Sequence, residues 1–342
     1  MESQNTKYLV PAQGNLLVPK VTTRPTIMEP TEVMIRLKTV AINPADCKMI
    51  DQGHRITSWP LVPGLDGAGI VEAVGEKVKR VGPGDMVLAL FAPGDRGGSF
   101  QKLAVVQEKM VTKVPTTWSF EDAATLGVCY MTGIVALGVG LKISLPFLEV
   151  GPTTVFNPAS VLVLGGSSAL GAATIQLLRL AVPNCKIFTT SSPRHHAHIT
   201  STLGADRAFD RKSTSLVMDV RAESPGSLGV EAIIDAVGAG ATEKHIFDTF
   251  DPNGPMRYAQ VWTGDDEIEA PSSVDSVMFR GRDLSTMQGR EHIMAALQQL
   301  LEDGKYGLPL PVKRVGDGFP ALEEGLRLMR NGVSGEKLVV LI

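Results

Sequence analysis

In the stretch ADCKMIDQG (45–53), with His54 next in line, a carboxylate, a thiol, an amine and an imidazole stand close together: Asp46, Cys47, Lys48 and His54. Two chemistries suit that set. Thiolate, imidazole and carboxylate are zinc ligands. A lysine amine, in contrast, donates a proton or steadies a developing oxyanion. Cys47 as a nucleophile would need a histidine base, and none follows in a plausible position, so Cys47 reads as a small buried filler.

The second reactive stretch is VLVLGGSSALGAATIQLL (161–178). An unbroken apolar run, the mark of a buried parallel strand, leads into a glycine-rich turn and then an apolar helix. Gly165 and Gly171 bracket the turn, with Ser167, Ser168, Ala169 and Leu170 between them. Such a turn lets the backbone approach a pyrophosphate, and the helix N-terminus presents free N–H groups to it. The alternative is a tight strand–helix turn with no ligand; the position after a buried strand favours the dinucleotide. A second glycine cluster, Gly64, Gly67 and Gly69, lies between short strands, opens no helix and reads as a decoy.

An NAD site places Asp or Glu about 20 residues beyond the turn, on the ribose 2′-OH. Here no acid stands between Val182 and Gly204. The corresponding strand end, TTSSPRHHAH, offers Thr190, Ser191, Ser192 and Arg194, with His195 and His196 beside them; Arg211 is a further cation. Hydroxyls and cations suit a 2′-phosphate, so NADPH is the expected cofactor. The histidines lack a thiol or carboxylate neighbour and read as a phosphate-facing surface rather than a metal site.

These residues need two kinds of scaffold. VMIRLKTVAI (33–42), GIVEAVG (69–75), GDMVLALF (84–91) and FQKLAVV (100–106) are short strands separated by Gly and Pro, the pattern of a small β-barrel-like domain, and the stretch around Lys48 reads as a loop within it. From Ser119, an N-cap, SFEDAATLGVCYMTGIVALGVG reads as helix. Strands and helices then alternate: 161–165, 170–181, 186–192, 205–210 and 230–238. That alternation implies an α/β doubly wound parallel sheet. Beyond about 285 come two helices, PLPVKRV and a final strand KLVVLI, which return to the first domain. The expected division is 1–130, completed by 281–342, and 131–280.

The chain has 342 residues, 44% of them hydrophobic, enough for two cores. A net charge of −3 without a basic stripe invites neither nucleic acid nor an anionic membrane. The unbroken apolar runs fall short of the roughly 20 residues that span a bilayer, and MESQNTKYLV has no signal-peptide pattern. Three cysteines fit a reduced compartment, so a cytoplasmic location is expected.

At this point a resemblance adds to the residues. AINPADCKM, PGLDGAGIVEAVG, VGPGDMVLA and ATLGVCYMTGIVAL resemble segments of the quinone-oxidoreductase-like branch of the medium-chain dehydrogenase/reductase superfamily. INPADCKM, GGSSALGAATIQLLRL, SSPRHH and SGEKLVVLI are similar to the trans-acting enoyl reductases that serve fungal polyketide synthases. The resemblance covers nearly the whole chain and implies a GroES-like β-rich catalytic domain beside a Rossmann domain.

It also bears on the zinc question. The ligand positions of zinc-dependent relatives fall on Asn43, Leu65 and near Val128, none of them a ligand type here, and no cysteine lies between 47 and 129 to build a structural zinc lobe. The resemblance thus implies no metal, and hydride transfer from NADPH to an activated C=C. Lys48 matches a lysine of the enoyl-reductase group; its ammonium would bond the substrate carbonyl, position the cofactor ribose, or both, the alternative being a surface lysine on a loop. Thr132 falls where relatives place a hydroxyl near the nicotinamide; otherwise it is a helix-start residue. Pro44, Asp46 and Cys47 would line the same edge through backbone contacts. Tyr130, Met131, Met278, Phe279 and Arg280 would border the acyl pocket. Arg211 departs from the pattern, standing where many relatives have a tyrosine.

Three functions follow. The first is an enoyl reductase acting on a carrier-bound polyketide thioester, as a monomer in transient contact with a synthase. The second is a free-standing quinone or enone reductase. The third is a non-catalytic NADPH-binding protein.

Overall fold

The computed structural model describes residues 4–148, 156–264 and 267–342; Met1–Ser3 of the N-terminal stretch lie outside the described residues. The chain divides into two compact units, Met1–Val128 with Met294–Ile342, and Cys129–Ile293. The second crossover is at 293/294 rather than near 280, because a strand at 275–279 and the turns after it belong to the second unit.

The first unit is built on β strands. β1 (Gln4–Leu9) and β2 (Val18–Thr23) form an antiparallel pair. A seven-stranded sheet holds β3 (Glu32–Ala41), β4 (Asp66–Val74), β5 (Met86–Leu90), β6 (Leu103–Gln107) and β7 (Val111–Lys113), together with the C-terminal β14 (Val312–Asp317) and β15 (Lys337–Leu341). Its order is β14-β15-β3-β4-β5-β7, and β6 also pairs with β3. β3, rich in Val and Ile and buried along most of its length, is the hub: β4, β6 and β15 all pair antiparallel with it. Gly67 and Gly69 lie within β4, so the decoy cluster serves the sheet. Val10, Leu37, Ile50, Phe91, Phe100 and Leu326 belong to the core.

Between β3 and β4 the expected loop is a helix, α1 (Pro44–Gln52). Asn43 caps it with extended backbone (φ −118°, ψ 151°), Pro44 opens it, and Asp46 Oδ2 accepts the Asn43 N–H at 2.7 Å. Gly53 closes it in the left-handed region (φ 64°), its N–H donating to Met49 O. α1 buries Asp46, Cys47, Met49 and Ile50. α8 (Gly318–Arg330) packs against α1, β14 and β15. At the α1–α8 contact Arg330 grips Asp51 with two bonds of 2.8 Å.

α2 (Phe120–Ala123) and α3 (Gly127–Val135) follow, and wider π turns extend α3 to Leu141. Phe120–Leu141 is long and apolar enough to cross a membrane, which counting unbroken apolar runs did not detect. Its most apolar window is 72% buried, as a core helix is.

The second unit is a parallel sheet of six strands: β8 (Ser160–Leu164), β9 (Lys186–Ser191), β10 (Arg207–Asp210), β11 (Ala232–Asp235), β12 (Arg257–Val261) and β13 (Asp275–Phe279). The order is β10-β9-β8-β11-β12-β13, and every pairing is parallel. α4 (Ala169–Ala181), α5 (His196–Ser201) and α6 (Leu216–Glu223) follow β8, β9 and β10 in turn. α7 (Ile293–Glu302) leads back to the first unit. β8, SVLVL, is buried along its whole length at the centre of the sheet, as a parallel strand covered on both faces must be.

Candidate functional site

Each unit carries one feature of chemical interest. In the second unit it is the turn between β8 and α4. Gly165 has φ +79°, and a Cβ on it would lie 2.5 Å from Val237 Cγ1. A Cβ on Gly171 would lie 2.3 Å from Gly165 O. Both positions therefore need glycine, the first for conformation and space, the second for close helix–turn packing. The turn is fastened to β9: Gly165 N–H donates to Thr190 Oγ1 at 3.2 Å and Gly166 N–H to Thr190 O at 3.0 Å. Ser168 caps α4, its Oγ accepting the Gly171 N–H at 3.0 Å. The first N–H groups of a helix have no intrahelical partner. Those of Ala169 and Leu170 are thus left for an anion, as the turn–helix geometry of a pyrophosphate site requires.

Around the β9 terminus the expected donor set separates into two groups. The Thr190 hydroxyl is buried and committed to Gly165, and Ser191 is buried with its Oγ donating to Ser192 O at 3.2 Å. Both side chains are buried. Ser192 is half-buried, and Arg194 and Arg211 are exposed. Arg194 Nε donates to His195 Nε2 at 3.1 Å, and Arg211 follows β10 with its N–H on Ser191 O at 3.0 Å. Two exposed arginines thus follow the neighbouring ends of β9 and β10.

Sequence reasoning missed Asp235, at the end of β11. Its fully buried carboxylate accepts the N–H groups of Val237 (3.1 Å), Ala239 (3.0 Å) and Gly240 (2.8 Å) and the Tyr258 hydroxyl (2.7 Å). It shapes the segment that brings Val237 against Gly165. An acid closing an apolar strand, followed by Gly238, was the available signal.

The acyl-pocket candidates in this unit differ in exposure. Tyr130 is fully buried, with its hydroxyl donating to Ile293 O at 3.0 Å, and Phe279 is fully buried near Gly140. Both side chains belong to the interior. Met131, Thr132, Met278 and Arg280 keep part of their surface, and Thr132 Oγ1 lies beside Gly281.

In the first unit the feature is α1. Pro44 is exposed and Lys48 half-buried, on the side away from the core. Cys47 is buried, burial pushes its thiol up to about 12, and its Sγ lies 3.7 Å from Leu326 O, as a filler residue would. Asp46 is fully buried, so any contact it makes with a cofactor is through its backbone.

Beneath the N-terminus of α1 lies a polar cluster. Asn43 Nδ2 donates to Asp66 Oδ2 at 3.0 Å, and the Val128 N–H donates to Asp66 Oδ1 at 2.8 Å. The Lys337 ammonium donates to Asn43 Oδ1 and lies 3.5 Å from Asp66 Oδ2. Lys337 and Asp66 are both buried, at 5% and 1% side-chain exposure. An isolated buried charge is costly, so each ion depends on the other. Burial raises the Asp66 carboxyl, and Lys337 opposes that shift. Burial, with the negative Asp66 nearby, pushes the Asp46 carboxyl up to about 7. Asp46 Oδ1 has no hydrogen-bond partner among the described residues.

Residues 29–116 match the alcohol dehydrogenase GroES-like domain. The chain is 32% identical to trans-enoyl reductase pyiC of Pyricularia grisea, across 92% of this chain and 88% of that protein. The chain belongs to the medium-chain dehydrogenase/reductase superfamily. It stands close to the fungal trans-enoyl reductases, being also 31% identical to the enoyl reductase component lovC of the lovastatin nonaketide synthase of Aspergillus terreus, across 90% of this chain and 88% of that protein. The solved structure of CurK enoyl reductase shares the fold, with a TM-score of 0.76 at 20% identity and coverage of 98% and 99%. The chain is accordingly an oxidoreductase of a family that uses nicotinamide cofactors, and the glycines and the helix-start N–H groups of the β8–α4 turn fit one.

Asn43, Leu65 and Val128, at or near which the resemblance sets the zinc-ligand positions of metal-dependent relatives, gather around one carboxylate. Asp66 ties the three together: it bonds Asn43 and Val128 and is the chain neighbour of Leu65. The cation in their midst is the Lys337 ammonium. Among the described residues, no group of three or more His, Cys, Asp or Glu side chains is arranged to hold a metal ion.

Proposed function

We propose that the chain is a zinc-independent, NADPH-dependent enoyl reductase. Its substrate would be an α,β-unsaturated polyketide thioester, reduced at the C=C in trans with a polyketide synthase, in the cytoplasm. The observation that supports this reading is the closed Asn43–Asp66–Lys337 cluster, which sits where the resemblance expects zinc ligands in metal-dependent relatives, with the half-buried Lys48 on the same helix, α1. The names of the relatives pyiC and lovC support the choice of reaction.

NADPH, when bound, supplies the hydride. The N–H groups at the start of α4 would hold its pyrophosphate, and Arg194 and Arg211 with Ser192 would hold its 2′-phosphate. As the C=C is reduced, negative charge gathers on the thioester oxygen. The Lys48 ammonium would donate a hydrogen bond to that oxygen, stabilising the enolate, and a proton drawn from solvent would then add to the α-carbon as the enolate collapses to the thioester. Thr132 contributes a hydroxyl, and Met131 and Met278 offer apolar surface to the acyl chain. The enzyme works as a monomer and meets its carrier-bound substrate transiently.

The experiment is a substrate panel. NADPH oxidation is followed with a crotonyl thioester of pantetheine or coenzyme A and, in parallel, with a 1,4-quinone. Turnover of the thioester with little turnover of the quinone supports the proposal. Turnover of the quinone alone replaces it with a free-standing quinone reductase, and tight NADPH binding with neither reaction points to a non-catalytic protein.

A further inference from the structure

We infer that Lys337 is a positioning residue: through Asn43 and Asp66 it fixes the N-terminus of α1 and so the placement of the Lys48 amine. The inference rests on the reading of Lys48 given above. Lys337 opens β15, the last strand of the chain, far in sequence from α1. Its ammonium nevertheless reaches Asn43 Oδ1, and Asn43 is the residue at which β3 turns into α1. Asn43 is held by all of its polar groups: Oδ1 by Lys337, Nδ2 by Asp66, its backbone N–H by the Asp46 carboxylate and its backbone C=O by the Asp46 N–H. Asp66, at the first residue of β4, anchors the cluster to the sheet and also takes the Val128 N–H.

The N-cap sets the direction in which a helix leaves its strand, because its backbone is extended while the next residue is already helical. Arg330 holds the far end of α1 through Asp51, and Leu326 O meets the Cys47 thiol in between. Only the N-terminal end depends on Lys337. Loss of the ammonium would leave Asp66 as a buried carboxylate without a counter-ion, and Asn43 Oδ1 without its donor. The N-cap would lose one of its holds and sit less firmly, and Lys48, one helical turn beyond Pro44, would move with it. Misplacement of a catalytic group by about 1 Å costs on the order of 100-fold in rate.

The test uses the full chain with Lys337→Met, Lys337→Arg and the double variant Lys337→Met/Asp66→Asn. The double variant removes both charges together, and so keeps the cluster neutral if the single variant fails to fold. Two readouts are taken for each. One is independent of activity: amide hydrogen exchange of residues 43–49, and the rate at which acetic anhydride modifies Lys48 relative to Lys20, followed by mass spectrometry. The other is kcat and KM for a crotonyl thioester, with the Kd for NADPH. In the double variant, exchange at 43–49 should rise at least about tenfold and the relative Lys48 modification rate should change, with kcat falling on the order of 10- to 100-fold. NADPH Kd should stay within about twofold, since the second unit holds the nucleotide, and Lys337→Arg should recover part of kcat.

Unchanged exchange and Lys48 reactivity in the double variant would overturn the inference. So would altered exchange with wild-type kcat, which would make Lys337 merely structural. If the wild-type protein fails to reduce the thioester, the proposed function falls, and exchange with Lys48 reactivity alone decides whether Lys337 positions α1.

Discussion

Asp46 makes α1 sensitive to pH, and the size of the effect follows from its burial. The carboxyl is fully enclosed, accepts one N–H from Asn43, and lies near the negative Asp66. Its pKa rises from 3.8 to about 7. The folded state therefore holds a proton that the unfolded chain releases near pH 4. Stability from this group is fully present below that pH, declines as pH rises towards 7, and levels off above it. With about 1.4 kcal/mol per pH unit, the loss is up to about 4 kcal/mol. Asp46→Asn keeps the acceptor for Asn43 and mimics the protonated carboxyl without the ability to ionise. The variant should match the wild type only below about pH 4 and exceed it increasingly up to pH 8.5. For units of this size about 1 kcal/mol moves a melting temperature by 2–4 °C, so the gap should widen by several degrees across that range. Thermal melts of the two proteins, taken every half pH unit, give the comparison, with the transition of the first unit followed where the two units melt separately. Parallel curves would refute the reasoning, since Asp46 would then titrate alike in the folded and unfolded chain.

Two further outcomes concern the nucleotide. Arg194→Ala and Arg211→Ala should each weaken NADPH binding by about 1.5–3 kcal/mol, the worth of a hydrogen bond to a charged group, and leave NADH nearly unaffected; equal losses for both cofactors in a binding titration would remove these residues from the 2′-phosphate. Gly171→Ala places a Cβ against Gly165 O and should abolish measurable NADPH binding while the first unit melts as before; retained affinity would show that the turn does not cradle the pyrophosphate.

Much of this was legible in the sequence because the signals were local and redundant. The β8–α4 turn announced itself by an unbroken apolar strand, glycines that admit no side chain and a serine cap. The terminal KLVVLI reads as a strand by composition alone. β12 and β13, RYAQV and DSVMF, were not legible: Gln260 interrupts the apolar run of the first, and the second is a three-residue apolar run at the sheet edge with only Phe279 buried. The helix α1 was missed although its punctuation was present, Asn43 and Pro44 at the start, Asp46 in the first turn and Gly53 at the end. Its apolar face is short, and the eye for ligands in ADCKM read a loop. The polar cluster could not be read at all. Lys337 and Asn43 are 294 residues apart, and only the pairing of β15 with β3 brings them together. Likewise, Thr190 looked like a phosphate donor from its place in TTSS, yet the fold spends its hydroxyl on Gly165.

The central claim is reduction of a thioester-activated C=C, and its most direct test follows the hydride. Crotonyl pantetheine is incubated with the enzyme and NADPH carrying deuterium at C4, on the face that is transferred, and the product is examined by NMR. The account predicts butyryl pantetheine with deuterium at the β-carbon and a solvent proton at the α-carbon, formed far more slowly by Lys48→Ala although that variant binds NADPH as the wild type does. Butyryl product without β-deuterium, or no product while a 1,4-quinone consumes the same cofactor, would contradict it.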